Sequence, residues 1–169
     1  MFKKILLLAI LTSTLLTSCF KDQCPYLDTS ITASSSEIAY MQTYFATNNI
    51  TDVTQHPSGV FYTIDTATTG SGPTPNLCST ILVRYDAFRL GYGNAFDSYN
   101  DPNGISFVLG SLIVGVQKTM PLINSGRTIT LYIPPSLAYG NNDIRDANGD
   151  VILPANSYIR FVMTLIAVQ

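Results

Sequence analysis

The sequence predicts an α+β fold: one strongly twisted antiparallel β-sheet with one short helix across its concave face, plus an N-terminal helix. Three observations carry that expectation. The runs 60–64, 81–90, 105–109, 127–133 and 158–168 are rich in β-branched and aromatic residues and are bounded by Gly, Pro, Asn and Asp, as strands are. Between them only 112–120 fits a helix, which Pro121 is expected to stop because proline has no N–H to give to a helix interior. Upstream, Ser34 and Glu37 have the spacing of a capping box, and Ile38, Met41 and Phe45 follow at helical intervals with Tyr44 beside them, so a short amphipathic helix ends near Asn48-Asn49. The short helix and the concave sheet face then share one core.

The N-terminus carries a different signal. Lys3 and Lys4 give a positive start, 5–16 an apolar run, and Leu16-Thr17-Ser18-Cys19 a lipobox, the pattern of a lipoprotein signal. A membrane span needs about 20 apolar residues, and the run 5–16 is shorter. On this reading residues 1–18 are removed and Cys19 is acylated at the new N-terminus. Each buried methylene of an acyl chain contributes about 0.8 kcal/mol, so more than one chain gives stable attachment. The expected location is the bacterial cell envelope, lipid-anchored at the outer membrane and facing the periplasm or the surface. Residues 19–33 hold Pro25 and no hydrophobic period and read as a tether, 34–56 as the N-terminal helix and a linker, and 57–169 as the folded domain. The helix either packs on its own domain or pairs two copies as a homodimer.

Charge excludes one class of partner. With 9 Lys and Arg against 11 Asp and Glu and a net charge of −2, no basic stripe is available for nucleic acid. Once Cys19 carries lipid, Cys24 and Cys78 remain, an even pair that can form one disulfide in an oxidising compartment or stay as two thiols. His56 is the single histidine and sits beside the break at 55–59, where it reads as a surface residue. One histidine supplies neither a Ser/His/Asp set nor a ligand cluster, which argues against a hydrolase. Asp143, Asp146, Asn148 and Asp150 lack the EF-hand spacing and its closing glutamate, and Asn148-Gly149-Asp150 is ordinary turn chemistry. No metal and no cofactor are expected.

A series of short landmarks carries a resemblance. In order these are Val83-Arg84-Tyr85, Ala95-Phe96-Asp97-Ser98 after a Gly-rich hairpin, 105–110, Leu112-Ile113-Val114-Gly115, Ser125-Gly126, 131–135, Leu137-Ala138-Tyr139-Gly140, Ile152-Leu153-Pro154 and a last strand through Phe161. Together they resemble the FKBP family of peptidyl-prolyl isomerases, over about 58–169. The resemblance implies an apolar pocket for proline lined by Tyr85, Phe96, Asp97, Ile105, Leu112, Ile113, Val116, Tyr139, Leu153 and Phe161. Within it, Tyr85, Asp97, Tyr139 and Phe161 are the residues implied to act on the substrate, and the others to bind it. Ile105 replaces a usual aromatic, Leu112 is a modest change, and Val116 stands where the family usually has the tryptophan of the pocket floor. The chain has no tryptophan, and 99–104 holds no arginine to pair with Asp97. A smaller floor implies a deeper or differently shaped pocket. The implied partners are proline-containing polypeptides, with a foldase for exported proteins as the activity. A non-catalytic peptide-binding or chaperone module that keeps the pocket is the alternative, and Val116 divides the two.

Overall fold

The computed structural model describes residues 24–169. The signal, the lipobox and Cys19 lie outside the described residues. The elements in chain order are α1 (Ser35–Thr47), β1 (Thr54–Gln55), β2 (Phe61–Ile64), β3 (Thr80–Arg89), β4 (Ala95–Tyr99), β5 (Ile105–Val108), α2 (Val114–Thr119), β6 (Thr128–Ile133), β7 (Ile144–Arg145), β8 (Val151–Leu153) and β9 (Ile159–Val168).

Helix α1 begins as its sequence predicts. The Ser34 side chain accepts the Glu37 N–H, and the Glu37 carboxylate accepts the Ser34 N–H at 2.8 Å, so two donors orphaned by the helix start are satisfied reciprocally. Asn48 caps the other end, and Asn49 turns the chain away with φ 53°. Met41 and Phe45 point inward and pack on Phe61 of β2 and Tyr132 of β6. The apolar face of α1 is therefore used on its own domain.

Seven strands form one antiparallel sheet in the order β1-β2-β6-β9-β3-β4, with β5 also pairing with β3. Strands β4 and β5 share one edge of β3 end to end: β5 runs beside Thr80 to Val83, β4 beside Tyr85 to Phe88. Phe88 faces Ala95 and Ala87 faces Asp97, which leaves Phe96 without a partner in a bulge. β7 and β8 form a separate hairpin.

Helix α2 differs from expectation at both ends. It starts at Val114, capped by the extended Ile113, and Pro121 does not stop the helical path, because Met120–Leu122 continues as a 3-10 turn. Proline is tolerated there because the first turn of such a segment does not use its N–H. The helix lies close on the sheet, since a Cβ at Gly115 would come within 2.5 Å of Ile133 Cγ2. Val116 and Met120 thereby join Ile129, Leu131 and Ile133 of β6 and Ile159 of β9 in the concave core.

Residues 24–33, expected as a tether, carry no regular structure, yet they are held against the domain. Cys24 is disulfide-bonded to Cys78 with the Cα atoms 5.6 Å apart, which realises the paired alternative for these two cysteines. Lys118 of α2 pairs with Asp28, and the Ala33 N–H donates to Ser58 O at 2.8 Å.

Candidate active site

The concave face presents side chains from alternate positions of its strands, and α2 is too short to cover all of them. Tyr85 of β3, Phe107 of β5, and Phe161 and Met163 of β9 line a cavity of about 260 Å³, together with Asp97, Ser111, Leu112, Ile113, Val116 and Tyr139. The Tyr85 ring lies 6.0 Å from Phe161 and 6.5 Å from Phe107, centroid to centroid, and tilted to both, so the walls are aromatic on three sides.

Two polar groups mark the rim. The Tyr85 hydroxyl donates to Asp97 Oδ2 at 2.8 Å, across the β3–β4 pair. Burial pushes the Tyr85 phenol well above its usual range, and the bond to Asp97 and the carboxylate charge push it further the same way. Tyr139 follows the 3-10 turn Pro135–Leu137, and its phenol is raised by burial and then by the charge of Asp97. Both tyrosines are thus protonated donors at neutral pH. Among the described residues the Tyr139 hydroxyl has no hydrogen-bond partner, so its proton is free for a ligand in the cavity.

Of the residues implied by the sequence, Tyr85, Asp97, Leu112, Ile113, Val116, Tyr139 and Phe161 meet around this one cavity. Three do not. Leu153, 1% exposed, is closed into the core. Ile105 opens β5 opposite Val83, short of the cavity, and the wall position falls to Phe107, which shares its face. Phe96, displaced by the bulge, lines a neighbouring open cleft with Tyr92, Val151, Ile152 and Pro154. Sequence reasoning missed Phe107, Met163 and Ser111. Strict alternation from Ile105 and from Phe161 marks the first two, while Ser111 lies in the turn before α2 and has no such signal.

The remaining candidate groups serve local structure. His56 Nδ1 accepts the Ser58 N–H at 3.1 Å and lies 2.9 Å from Ser58 Oγ. Asp146 Oδ1 accepts the N–H groups of Asn148 and Asp150, and Asp143 is shared between the Ala155 N–H and Arg145. Among the described residues no group of three or more His, Cys, Asp or Glu is placed to hold a metal ion.

A family model described as FKBP-type peptidyl-prolyl cis-trans isomerase matches residues 72–166, more than half of the chain. The chain belongs to this family. Among FKBP-type relatives, the isomerase FkpA of Buchnera aphidicola subsp. Schizaphis graminum is 34% identical over 119 residues, 69% of this chain and 44% of that protein. The isomerase Mip of Coxiella burnetii is 34% identical over 101 residues, 59% of this chain and 41% of that protein. The chain thus spans less than half the length of these relatives. A solved peptidyl-prolyl cis-trans isomerase of Pseudomonas syringae pv. tomato superposes with TM-score 0.63 at 25% identity, covering 83% of this chain and 99% of that one. FkpA of Escherichia coli superposes with TM-score 0.60 at 25% identity, covering 79% and 60%. The FKBP fold is therefore shared.

Proposed function

We propose that this chain is a peptidyl-prolyl cis-trans isomerase that acts on X-Pro bonds of exported polypeptides, with the cavity under α2 as its site. The observation that carries the reading is an aromatic cup with two phenol donors at its rim. Rotation about an X-Pro bond is opposed by roughly 18–20 kcal/mol of amide resonance, which is lost at the twist. A catalyst needs only to bind the twisted form better than the planar ones. Phe107, Phe161 and Met163 hold the prolyl ring and exclude water. The planar amide is the more dipolar form, so it loses more on desolvation. Tyr139 donates to a carbonyl flanking the proline, while the Tyr85–Asp97 bond keeps that rim polar and fixed. Ile113 and Leu112 close the side under α2, and Val116 forms a small floor.

Acylation of Cys19 would hold this activity at the envelope surface, where the substrates are polypeptides newly exported. Cys19→Ala tests it: the variant should leave the membrane fraction or keep its signal, and mature protein still resisting an alkaline wash would overturn the anchor. The activity is tested by exchange NMR on a short X-Pro peptide with the mature protein. Enhanced cis-trans exchange is expected. Binding without enhanced exchange would instead favour the non-catalytic module, which Val116 in place of a tryptophan floor makes the specific competitor.

A further inference from the structure

Glu37 of α1 faces two elements at once. Its Oε2 accepts the Ser34 N–H and the Ser34 hydroxyl, both at 2.8 Å, which completes the cap of its own helix. The same carboxylate reaches 99 positions along the chain: Oε1 accepts the Ser136 N–H and Oε2 the Ser136 hydroxyl, both at 2.9 Å. Burial alone would raise the pKa of this group, but the bonds from Ser136 and Ser34 outweigh it and hold the carboxylate below its ordinary value. Capping needs only Ser34, so the bonds to Ser136 serve something else.

Ser136 sits in the 3-10 turn that delivers Tyr139. That turn has little freedom. Pro134 and Pro135 fix two φ angles, Leu137 is fully buried, and the Ala138 and Gly140 N–H groups both donate to Pro135 O, at 3.0 and 2.9 Å. A displacement at Ser136 therefore passes to Tyr139 rather than being absorbed between them.

We infer that Glu37 is a positioning residue for Tyr139, so that the N-terminal helix sets where the Tyr139 hydroxyl enters the cavity. The inference rests on Tyr139 as the donor to the substrate. It makes α1 part of the working site rather than a cover on the far face of the sheet.

The test uses the mature protein carrying ring-labelled tyrosine, with exchange NMR on an X-Pro peptide to separate kcat from binding. Glu37→Ala should lower kcat about three- to tenfold, the worth of one misplaced hydrogen bond, with peptide affinity within about twofold, and should shift the Tyr139 ring signals. Ser136→Ala should reproduce part of that loss. Glu37→Gln, which keeps an acceptor for the Ser136 N–H, should recover most of it. Ser34→Ala removes the cap and the hydroxyl bond to Glu37 Oε2 but leaves both bonds from Ser136 in place, and should lower the melting temperature with kcat unchanged. In a Tyr139→Phe background, Glu37→Ala should have no further effect on kcat.

Wild-type kcat and unmoved Tyr139 signals in Glu37→Ala would overturn the inference, as would an equal kcat loss in Ser34→Ala, which would reduce Glu37 to a helix cap. If Glu37→Ala does not fold, Ser136→Ala and Glu37→Gln decide by the same readouts. A wild-type protein without isomerase activity sinks the isomerase reading instead. The Tyr139 shift then decides alone: moved signals support the positioning role and unmoved signals end it.

Discussion

Two aromatic clusters lie on opposite faces of one sheet, built from the same kinds of residue, and one is solid while the other is hollow. Under α1, Phe45 meets Phe61 and Tyr132 edge-on, with centroids 5.1 and 5.0 Å apart, and open space lies only at the rim, where Tyr44, Leu90 and Arg160 border a surface cleft. Under α2, Tyr85 stands 6.0 Å from Phe161 and 6.5 Å from Phe107, and the three rings border a cavity of about 260 Å³. The covering helices account for the difference. α1 has 13 residues and drives Phe45 into the gap between β2 and β6, whereas α2 has 6 and offers Gly115 and Val116 at its closest approach. Aromatic residues on a sheet become a site where the element above them is too small to fill the space.

The filled side should lose most from truncation. Phe45→Ala removes the centre of the α1 cluster and should cost about 3–5 kcal/mol in urea unfolding, as large-to-small changes in packed cores do. A loss under about 1 kcal/mol would mean that α1 is not firmly docked. Reduction of Cys24–Cys78, which lies in neither cluster, frees a 54-residue separation and should cost on the order of 4 kcal/mol if the entropy of the unfolded chain governs. An unfolding midpoint unchanged by reductant would contradict that.

The hollow side should respond in activity more than in stability. Val116→Trp places an aromatic floor in the cavity. It should raise isomerase activity at a stability cost within the about 1–3 kcal/mol typical of overpacking. A strongly destabilised, inactive variant would show instead that Val116 belongs to the filled core, to which its 2% exposure also admits it. Tyr139→Phe deletes one donor and should reduce kcat/KM roughly twofold to tenfold, the equivalent of about 0.5–1.5 kcal/mol, with the melting temperature kept.

The smallest effect is acid-dependent and belongs to the junction between the two sides. The folded-state pKa of Glu37 lies below its ordinary 4.5, so its contribution is complete above 4.5 and is lost as pH falls through the depressed value. His56, lowered by burial and then by Lys118, likewise contributes stability present above its ordinary 6.5 and lost as pH falls through its own depressed value. Urea midpoints measured from pH 7 down to pH 3 should therefore fall in two steps. Glu37→Gln should abolish only the lower one, and a wild-type lower step in that variant would assign it to other carboxylates.

Much of the candidate site was legible in the sequence. Tyr85, Asp97, Tyr139 and Phe161 are spread over 77 positions, yet their order along the chain matched that of one family, and the structure brings them to one cavity. Phe96 and Ile105 lie away from the cavity for two different reasons. A bulge shifts the face of Phe96 without any mark in the run around it, and a strand's alternation leaves open which of Ile105 and Phe107 stands at the cavity. The resemblance implies a wall at Leu153, whereas the structure buries that side chain in the core.

What the chain alone determined is local: strand runs set by β-branched and aromatic residues, and a helix start set by Ser34 and Glu37. These follow from steric and hydrogen-bonding preferences that act within a few residues. The tertiary structure decided everything that needs distance: which aromatic cluster is filled and which stays open, the pairing of Cys24 with Cys78, and the reach of Glu37 to Ser136. Those outcomes depend on how far a short helix can cover a twisted sheet and on which loops meet there. No periodicity along the chain encodes such a gap, because it is a property of the volume between elements and not of either one.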